Sequence, residues 1–263
     1  MTIKRRLAVM IDADNAQAAL LPQILEEVNK HGVTVIRRVY GDWTTPQLKG
    51  WKDVLHSHAL QPMQQFSYTA GKNATDCSLI IDAMDIIYSA DVDGICIVSS
   101  DSDYTRLATR IRESNLFVMG IGRQDTSPAF VNACDVFAYT EKLCPTPKSN
   151  GTKPTASKST ARPPATKAPS EKKSNTNAVP TAKQTKALKK LMQAAVSSSA
   201  QEDGWVFLGA LGTSLKKIDP AFDPRSYGHK LLSKLVEAVP YIDTRKETRQ
   251  GGNSVVYVRL KEN

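Results

Sequence analysis

Carboxylate side chains follow two apolar segments of this sequence, in an arrangement that suits metal chemistry. The motif IDADN at 11–15 comes directly after the apolar residues 7–10, and the motif SSDSDY at 99–104 follows the apolar residues 95–98. Carboxylates gathered in one place repel one another, so such a cluster at neutral pH is most easily explained by a bound divalent cation. Oxygen ligands of this kind suit Mg²⁺ or Mn²⁺.

The two segments that precede these motifs are apolar at every position. That pattern is typical of parallel strands that are covered by helices on both faces. Open α/β sheets bind their ligands beyond the carboxyl ends of the strands. We therefore expect Asp12 and Asp101 to meet at one edge of a parallel sheet.

A third acidic position, Asp76, lies near the predicted start of a helix. If Asn73 caps that helix, Asp76 stands in its first turn, where the helix dipole already favours a carboxylate. Asp76 is therefore either a site residue or only a capping partner. The same two interpretations hold for Asp101 and Asp103, which precede another predicted helix.

Residues 1–144 alternate between strand and helix patterns, which predicts an α/β fold with a parallel sheet and helices on both faces. Further strands are predicted at 33–40, 60–66, 116–121 and 136–139. Helices are predicted at 20–28, 46–58, 73–89, 103–113 and 128–133. On the third of these helices, Asp82 and Asp85 point about 120° and 180° away from Asp76, so we predict that they are solvated or structural.

Charge is distributed unevenly along the 263 residues. Residues 1–144 hold 14 basic and 17 acidic side chains, 145–182 hold 7 and 1, and 183–263 hold 14 and 8. The middle segment has almost no large apolar residues, so it is predicted to be a disordered basic linker between two domains. The excess of positive charge after residue 144 suits a polyanionic partner held near the acidic first domain.

The last domain, 183–263, has the pattern of a small winged helix, a second and separate fold. Apolar residues predict helices over 188–196, 205–218 and 231–236, and short strands at 241–242 and 254–258. Three helices followed by a hairpin define that fold. The apolar segment near the N-terminus is only about five residues long, so neither a signal peptide nor a membrane span is predicted. We expect a cytoplasmic protein with no membrane partner.

Three motifs of the first domain together resemble the NYN domain, a LabA-like member of the PIN-like ribonuclease fold. They are Asp12 with Asn15, Lys72 with Asp76, and the motif at 99–104. Each is weak alone, but the combination is specific. The resemblance implies an Asp-cluster Mg²⁺ or Mn²⁺ site that hydrolyses RNA without a nucleophilic side chain.

The resemblance extends over about 5–143 and assigns roles to particular residues. It implies metal ligands with a catalytic role at Asp12, Asp76, Asp101 and Asp103. Asn15 is similar to a polar residue that contacts the substrate or supports the ligands, with a local turn as the alternative. Lys72 and Arg123 are candidates for contacts to RNA phosphate, and solvated cations are the alternative.

The C-terminal domain resembles the LOTUS module, also called OST-HTH, over about 185–262. The matching features are the GWV start at 204–206, the spacing of Leu208 to 211–212, and the motif FDPRSYG at 222–228. This resemblance implies RNA binding or protein docking. Candidate contacts on or before the third helix are Arg225, Tyr227, His229, Lys230 and Lys234, and those on the wing are Arg245, Lys246 and Arg249.

The sequence therefore predicts a metal-dependent ribonuclease, acting within RNA chains, that the LOTUS module directs to RNA. Two alternatives remain. One is an RNA-binding adaptor with a degenerate nuclease site. The other is a haloacid-dehalogenase-type phosphatase with Asp12 as nucleophile, although that family usually has Thr or Val where this chain has Ala16. Self-association is compatible with the sequence.

Overall fold

The structure, a computed structural model, describes residues 4–66, 74–143, 182–200, 204–248 and 254–261. Its first domain is the predicted α/β fold, with a six-stranded parallel sheet and helices packed on both faces. The strands are β1 (Arg5–Asp12), β2 (Gly32–Gly41), β3 (Gln61–Gln64), β4 (Gly94–Val98), β5 (Phe117–Gly122) and β6 (Val136–Tyr139). The helices are α1 (Leu21–Asn29), α2 (Lys52–Ser57), α3 (Ala74–Ser89), α4 (Thr105–Glu113) and α5 (Pro128–Ala133).

The sheet order is β3-β2-β1-β4-β5-β6, so β1 and β4 are neighbours from which the chain leaves in opposite directions. Ile11 pairs with Val98 in this register, which brings the ends of both strands together. Ala8 and Met10 face one core while Leu7, Val9 and Ile11 face the other, all without exposed surface. Burial on both faces explains why this strand is apolar throughout.

Three of the predicted helices begin as 3-10 turns, the first of them with Ala18–Leu20 before α1. Residues Pro46–Trp51 form such a turn before α2, and Ser102–Tyr104 form one before α4. Helix α1 ends at Asn29, and Gly32 is the first residue of β2. A side chain at Gly32 would place its Cβ 2.4 Å from the Arg5 carbonyl oxygen of β1, so the close approach of the strands requires glycine.

The C-terminal domain agrees with the predicted winged helix and adds a third strand. It comprises α6 (Ala182–Ser197), β7 (Val206–Phe207), α7 (Leu208–Ile218), α8 (Leu232–Ala238), β8 (Ile242–Thr248) and β9 (Ser254–Leu260). The sheet is antiparallel in the order β7-β9-β8. Strand β8 is longer than predicted, so Arg245 and Lys246 lie within a strand and not in the segment between the strands.

The two domains touch beside β6. The backbone N–H of Phe137 in β6 donates to the Pro220 carbonyl oxygen at 2.9 Å. Arg225 forms an ion pair with Glu27 at 3.5 Å and donates to the Lys142 carbonyl oxygen at 3.2 Å. The proposed linker lies almost wholly outside the described residues and stays a prediction. No helix in the described part of the chain is both long and apolar enough to cross a bilayer.

Candidate functional site

Asp12 is the innermost acid of the candidate site, and its side chain has no exposed surface. One carboxylate oxygen accepts the backbone N–H groups of Asp14 at 3.1 Å and Asn15 at 3.3 Å. The other accepts the Asn15 side-chain amide at 2.8 Å and the Ser99 hydroxyl at 2.9 Å. These donors fix the orientation of a buried carboxylate at the end of β1.

Tyr104 connects Asp12 to the acid on α3. Its hydroxyl donates to Asp76 at 2.6 Å and stands 3.5 Å from the nearer Asp12 oxygen. Tyr104 is itself fully buried, at the junction of the 3-10 turn and α4. Asp76 is the third residue of α3, as predicted. The tyrosine therefore holds acids from two different elements next to each other.

The acids after β4 are attached to the same network through Ser99. The Ser99 hydroxyl donates to Asp12 and accepts the backbone N–H of Asp101 at 3.1 Å. Asp101 also caps the 3-10 turn, because its carboxylate accepts the backbone N–H of Asp103 at 2.9 Å. The expectation that Asp12 and Asp101 meet at one edge of the sheet is confirmed. The capping alternative is also correct for Asp101, and one role does not exclude the other.

The electrostatics of the site reflect this crowding. Burial raises the pKa of Asp76, and the charges of Asp12, Asp101 and Asp103 raise it further, while the Tyr104 hydrogen bond opposes them. Burial also raises the pKa of Asp12, against the hydrogen bonds from Asn15 and Ser99. Both shifts mean that the ionised site is less favourable than isolated carboxylates would be. Such a site gains by binding a cation.

This repulsion predicts an effect of Asp76→Asn on stability in the absence of metal. A raised folded-state pKa means that ionised Asp76 costs stability, and the cost builds up as the pH rises from the ordinary pKa of 3.8 to the raised value. We expect the variant to melt at a higher temperature than the parent at neutral pH. The gain should vanish as the pH falls below the ordinary pKa of 3.8, where Asp76 is protonated in both the folded and the unfolded state.

Asp85→Asn is the matched control, because it removes one carboxylate from the exposed side of the same helix. Thermal melts in EDTA at several pH values make the comparison. Equal stabilisation by both variants would assign the effect to net charge and not to the cluster.

Asp82 has a structural role, in agreement with one of the two predicted alternatives. Its carboxylate accepts hydrogen bonds from Arg38 and from the Tyr40 hydroxyl, both on β2. This second network of acid and tyrosine lies outside the candidate site. Because it also joins a tyrosine hydroxyl to an aspartate, it serves as a control for the hydrogen bond between Tyr104 and Asp76.

The site also contains acids for which the sequence predicts no role, Asp14 and Asp42. Burial raises the pKa of Asp14, a hydrogen bond from Thr75 lowers it, and the charges of Asp76 and Asp42 raise it. Asp42 follows β2, so a third strand of the sheet also ends in an acid. In the described residues, no three His, Cys, Asp or Glu side chains lie close enough to hold a metal ion as they stand.

The remaining predicted residues of the first domain have different positions. Asn15 supports Asp12 and lines a crevice with Ser100 and Arg123 between the ends of β1, β4 and β5. The Arg123 side chain is about half exposed, and its Nε donates to Asp125 at 3.0 Å. It remains close to the site. Lys72 lies outside the described residues, so its role stays a prediction.

The predicted contacts of the C-terminal domain do not form one free surface. Arg225 pairs with Asp223 at 2.6 Å and reaches the first domain, and Tyr227 packs on Phe222 with ring centroids 6.1 Å apart. His229 and Lys230 lie in the segment before α8. Lys234 and Lys246 both pair with Glu237, at 2.9 Å and 3.1 Å. Arg249 lies outside the described residues.

Comparison with protein families agrees with both parts of this architecture. The NYN domain model matches residues 6–141, and the OST-HTH/LOTUS domain model matches residues 182–255. This chain belongs to the NYN domain family and carries a C-terminal LOTUS domain. The first assignment indicates a nuclease of the PIN-like class, and the second indicates RNA binding. A search of curated proteins returns no match.

Solved structures show partial likenesses. A crystal structure of a protein of unknown function from Vibrio parahaemolyticus is 20% identical, covering 52% of this chain and 93% of that one, with a TM-score of 0.44. An NMR structure of an uncharacterized protein from Nitrosomonas europaea is 31% identical over 41% and 94%, with a TM-score of 0.27. An NMR structure from Chromobacterium violaceum is 30% identical over 29% and 82%, with a TM-score of 0.25.

Proposed function

We propose that this chain is a metal-dependent ribonuclease that cuts within RNA chains at the carboxylate cluster, while its LOTUS domain holds the RNA. One observation carries the proposal: the charges of Asp12, Asp101 and Asp103 all raise the pKa of Asp76. These acids come from the end of β1, the turn after β4 and the first turn of α3. Their proximity results from the fold and not from sequence adjacency.

Every candidate ligand atom in the cluster is a carboxylate oxygen, which is the ligand type that hard divalent cations prefer. Asp76, Asp101 and Asp103 would hold the ion. Asp12, the fourth predicted ligand, is fully buried and both of its oxygens accept hydrogen bonds, so in this proposal it adds its charge from behind the other three. Asp76 and Asp101 are partly exposed and Asp103 is exposed, so these side chains have room to rotate. A cation bound there supplies charge stabilisation for the phosphate and lowers the pKa of an attacking water.

The other residues of the site orient these acids. Ser99 and Asn15 fix Asp12, and the Tyr104 hydroxyl fixes Asp76. Arg123 at the rim of the crevice offers a cation for a phosphate oxygen. Because water is the attacking group, no side chain of the protein acts as nucleophile in this mechanism.

The direct test is incubation of the full chain with a panel of single-stranded and structured RNAs, with Mg²⁺, with Mn²⁺ and with EDTA. We expect internal cleavage that depends on the metal and is absent for Asp101→Asn. Circular RNA distinguishes internal cutting from removal of end nucleotides. A panel left intact under all metal conditions would favour the adaptor alternative, in which the LOTUS domain binds RNA and the cluster is inactive.

The phosphatase alternative makes a different chemical demand on Asp12. A phosphoryl-accepting nucleophile must reach the phosphorus atom, whereas Asp12 has no exposed surface and both its carboxylate oxygens already accept hydrogen bonds. This observation favours the ribonuclease. A covalent aspartyl-phosphate on Asp12, detected by mass spectrometry after acid quench, would support the phosphatase.

Tyr104→Phe provides a further test of the cluster, because the change removes only the hydroxyl that donates to Asp76. The ring should remain packed against Phe130, whose centroid is 6.4 Å away. Loss of one hydrogen bond to a charged group is expected to raise the metal concentration for half-maximal cleavage roughly tenfold. Tyr40→Phe is the matched control, because its hydroxyl donates to Asp82 outside the site. A similar metal response in both variants would show that Tyr104 has only a structural role.

A further inference from the structure

The outer face of the C-terminal sheet carries aromatic and arginine side chains in two adjacent rows. Phe207 on β7 pairs with Tyr257 on β9, which pairs with Arg245 on β8. Two residues along the strands, Trp205 precedes β7 and lies beside Arg259 of β9. Because side chains alternate along strands, these five residues face away from the core that Val206 and Val258 enter. We call these five residues the aromatic-arginine face.

The guanidinium groups of this face lie over its aromatic rings, and the rings of Phe207 and Tyr257 are tilted against each other. The Arg245 Cζ lies 4.8 Å from the Trp205 ring centroid and 5.7 Å from that of Tyr257. The Arg259 Cζ lies 4.8 Å from the Trp205 centroid. The rings of Phe207 and Tyr257 are 6.2 Å apart. Two arginines are therefore held against aromatic rings, which limits their freedom before any ligand binds.

This face is partly open to solvent. Phe207 is 46% exposed, and the side chains of Arg245 and Arg259 are 46% and 39% exposed. The acids near it, Glu247 and Asp243, form ion pairs with these arginines at 2.7 Å and 3.8 Å. Exposed pairs of this kind contribute little to stability, so a phosphate can replace the carboxylates at low cost.

We propose that the aromatic-arginine face binds single-stranded RNA, with bases stacked on Phe207 and on the guanidinium groups that cover Trp205, and with phosphates beside Arg245 and Arg259. This inference rests on the proposed function only in taking RNA as the ligand. Unpaired bases offer flat faces that stack on aromatic rings and on guanidinium planes alike. A duplex hides those faces, so the site selects unpaired RNA. Alternation of rings and cations at strand spacing fits bases and phosphates better than an apolar protein surface.

Binding centred on helix α8 would use a different set of residues. The basic residues at α8 include Lys230 and Lys234, which lie in or before that helix and carry no aromatic neighbour in the contacts described. Contacts from ammonium groups would hold phosphate in single-stranded and double-stranded RNA alike. The two surfaces therefore predict different preferences among RNA ligands.

The test measures binding of the full chain in EDTA, so that cleavage does not interfere. The probes are a fluorescein-labelled oligouridine of about 12 nucleotides, long enough for one small domain, and a duplex RNA of the same length, followed by anisotropy. We expect Phe207→Ala to weaken oligouridine binding about tenfold, as for the loss of one stacked base. Arg245→Gln with Arg259→Gln should weaken it further and flatten its salt dependence. Binding of the duplex should change less than about twofold in both variants.

Arg245→Lys with Arg259→Lys separates stacking from charge, because lysine keeps the positive charge and loses the planar group. We expect this variant to bind oligouridine more weakly than the parent but to keep its salt dependence. Lys186→Gln with Lys190→Gln, on the exposed side of α6, is the control for loss of two charges. Thermal melts establish that each variant remains folded.

Parent-like binding of oligouridine by both Phe207→Ala and the double glutamine variant would overturn the proposal. Equal losses for oligouridine and duplex would overturn it as well and assign the arginines to general phosphate attraction. Retained RNA binding with loss of a protein partner would make the face a docking surface. Metal-dependent cleavage is measured separately with the Asp101→Asn variant, so failure of the nuclease proposal is distinguishable from failure of this one.

Discussion

Replacement of Asp101 by asparagine is expected to lower metal-dependent RNA cleavage on the order of a thousandfold and to leave the fold intact. Asparagine caps a helix as well as aspartate does, so the hydrogen bond from the Asp103 backbone N–H is retained. The change removes one negative charge from a site that must concentrate cations. Cleavage of a labelled RNA, with circular dichroism as the check on folding, measures both parts of the prediction.

Asp76→Asn and Asp12→Asn should lower cleavage to a similar extent, with different side effects. An asparagine at position 76 still offers an oxygen to the Tyr104 hydroxyl, so that variant should fold normally. An asparagine at position 12 has only one oxygen for donors that now occupy two, so we expect it to be the least stable of the three. Asp85→Asn should cut RNA at the parental rate. Full activity with unchanged metal dependence in all three site variants would reject the carboxylate mechanism.

Reversal of the charges at Lys230, Lys234, Lys246 and Arg249 together is expected to weaken RNA binding about a hundredfold at low salt. These residues supply part of the positive excess of the C-terminal domain, which holds 14 basic and 8 acidic side chains over 183–263. Phosphate contacts release counterions, so the parent should lose affinity steeply as salt rises and the variant should not. Binding titrations at several salt concentrations give the slopes. The slope should fall by about three if all four residues contact phosphate of single-stranded RNA.

Glu237 complicates that experiment, because it pairs with both Lys234 and Lys246. Reversal of these two charges brings three acids together, so Lys230→Gln with Lys234→Gln serves as a milder companion. If the charge-reversed protein binds RNA with parental affinity and slope, the basic side chains have another purpose, and protein docking becomes the better assignment.

The sheet and its acidic edge could be predicted because burial leaves a direct record in the sequence. Strand β1 has no polar residue between Leu7 and Ile11, since both of its faces are covered. In a parallel sheet the ends of the neighbouring strands β1 and β4 lie at the same edge. The proximity of Asp12 and Asp101 follows from that arrangement alone. The position of Asp76 could be predicted from the start of helix α3 alone, because Asp76 lies in the first turn of that helix.

Other features left no comparable signal. Tyr104 is the last residue of the SSDSDY motif, but from the sequence a tyrosine at the start of a helix predicts only packing in the core. Its role depends on two acids that are distant in sequence. Strand β7 has only two residues, Val206 and Phe207, and exists because β9 lies beside it. Contacts that join distant segments cannot be deduced from local spacing.

The hydrogen bond from the Phe137 N–H to the Pro220 carbonyl covers part of strand β6, and deletion of the C-terminal domain would remove it. Strand β6 is the last strand of the sheet, and an uncovered edge of this kind is a template for pairing with other chains. A shortened protein that ends near residue 144 would uncover this strand and the neighbouring side chain of Tyr139. Poor solubility or lost activity in such a fragment would then report self-association and not loss of RNA recognition. Point substitutions in the full chain therefore identify the role of each domain more reliably than truncation does.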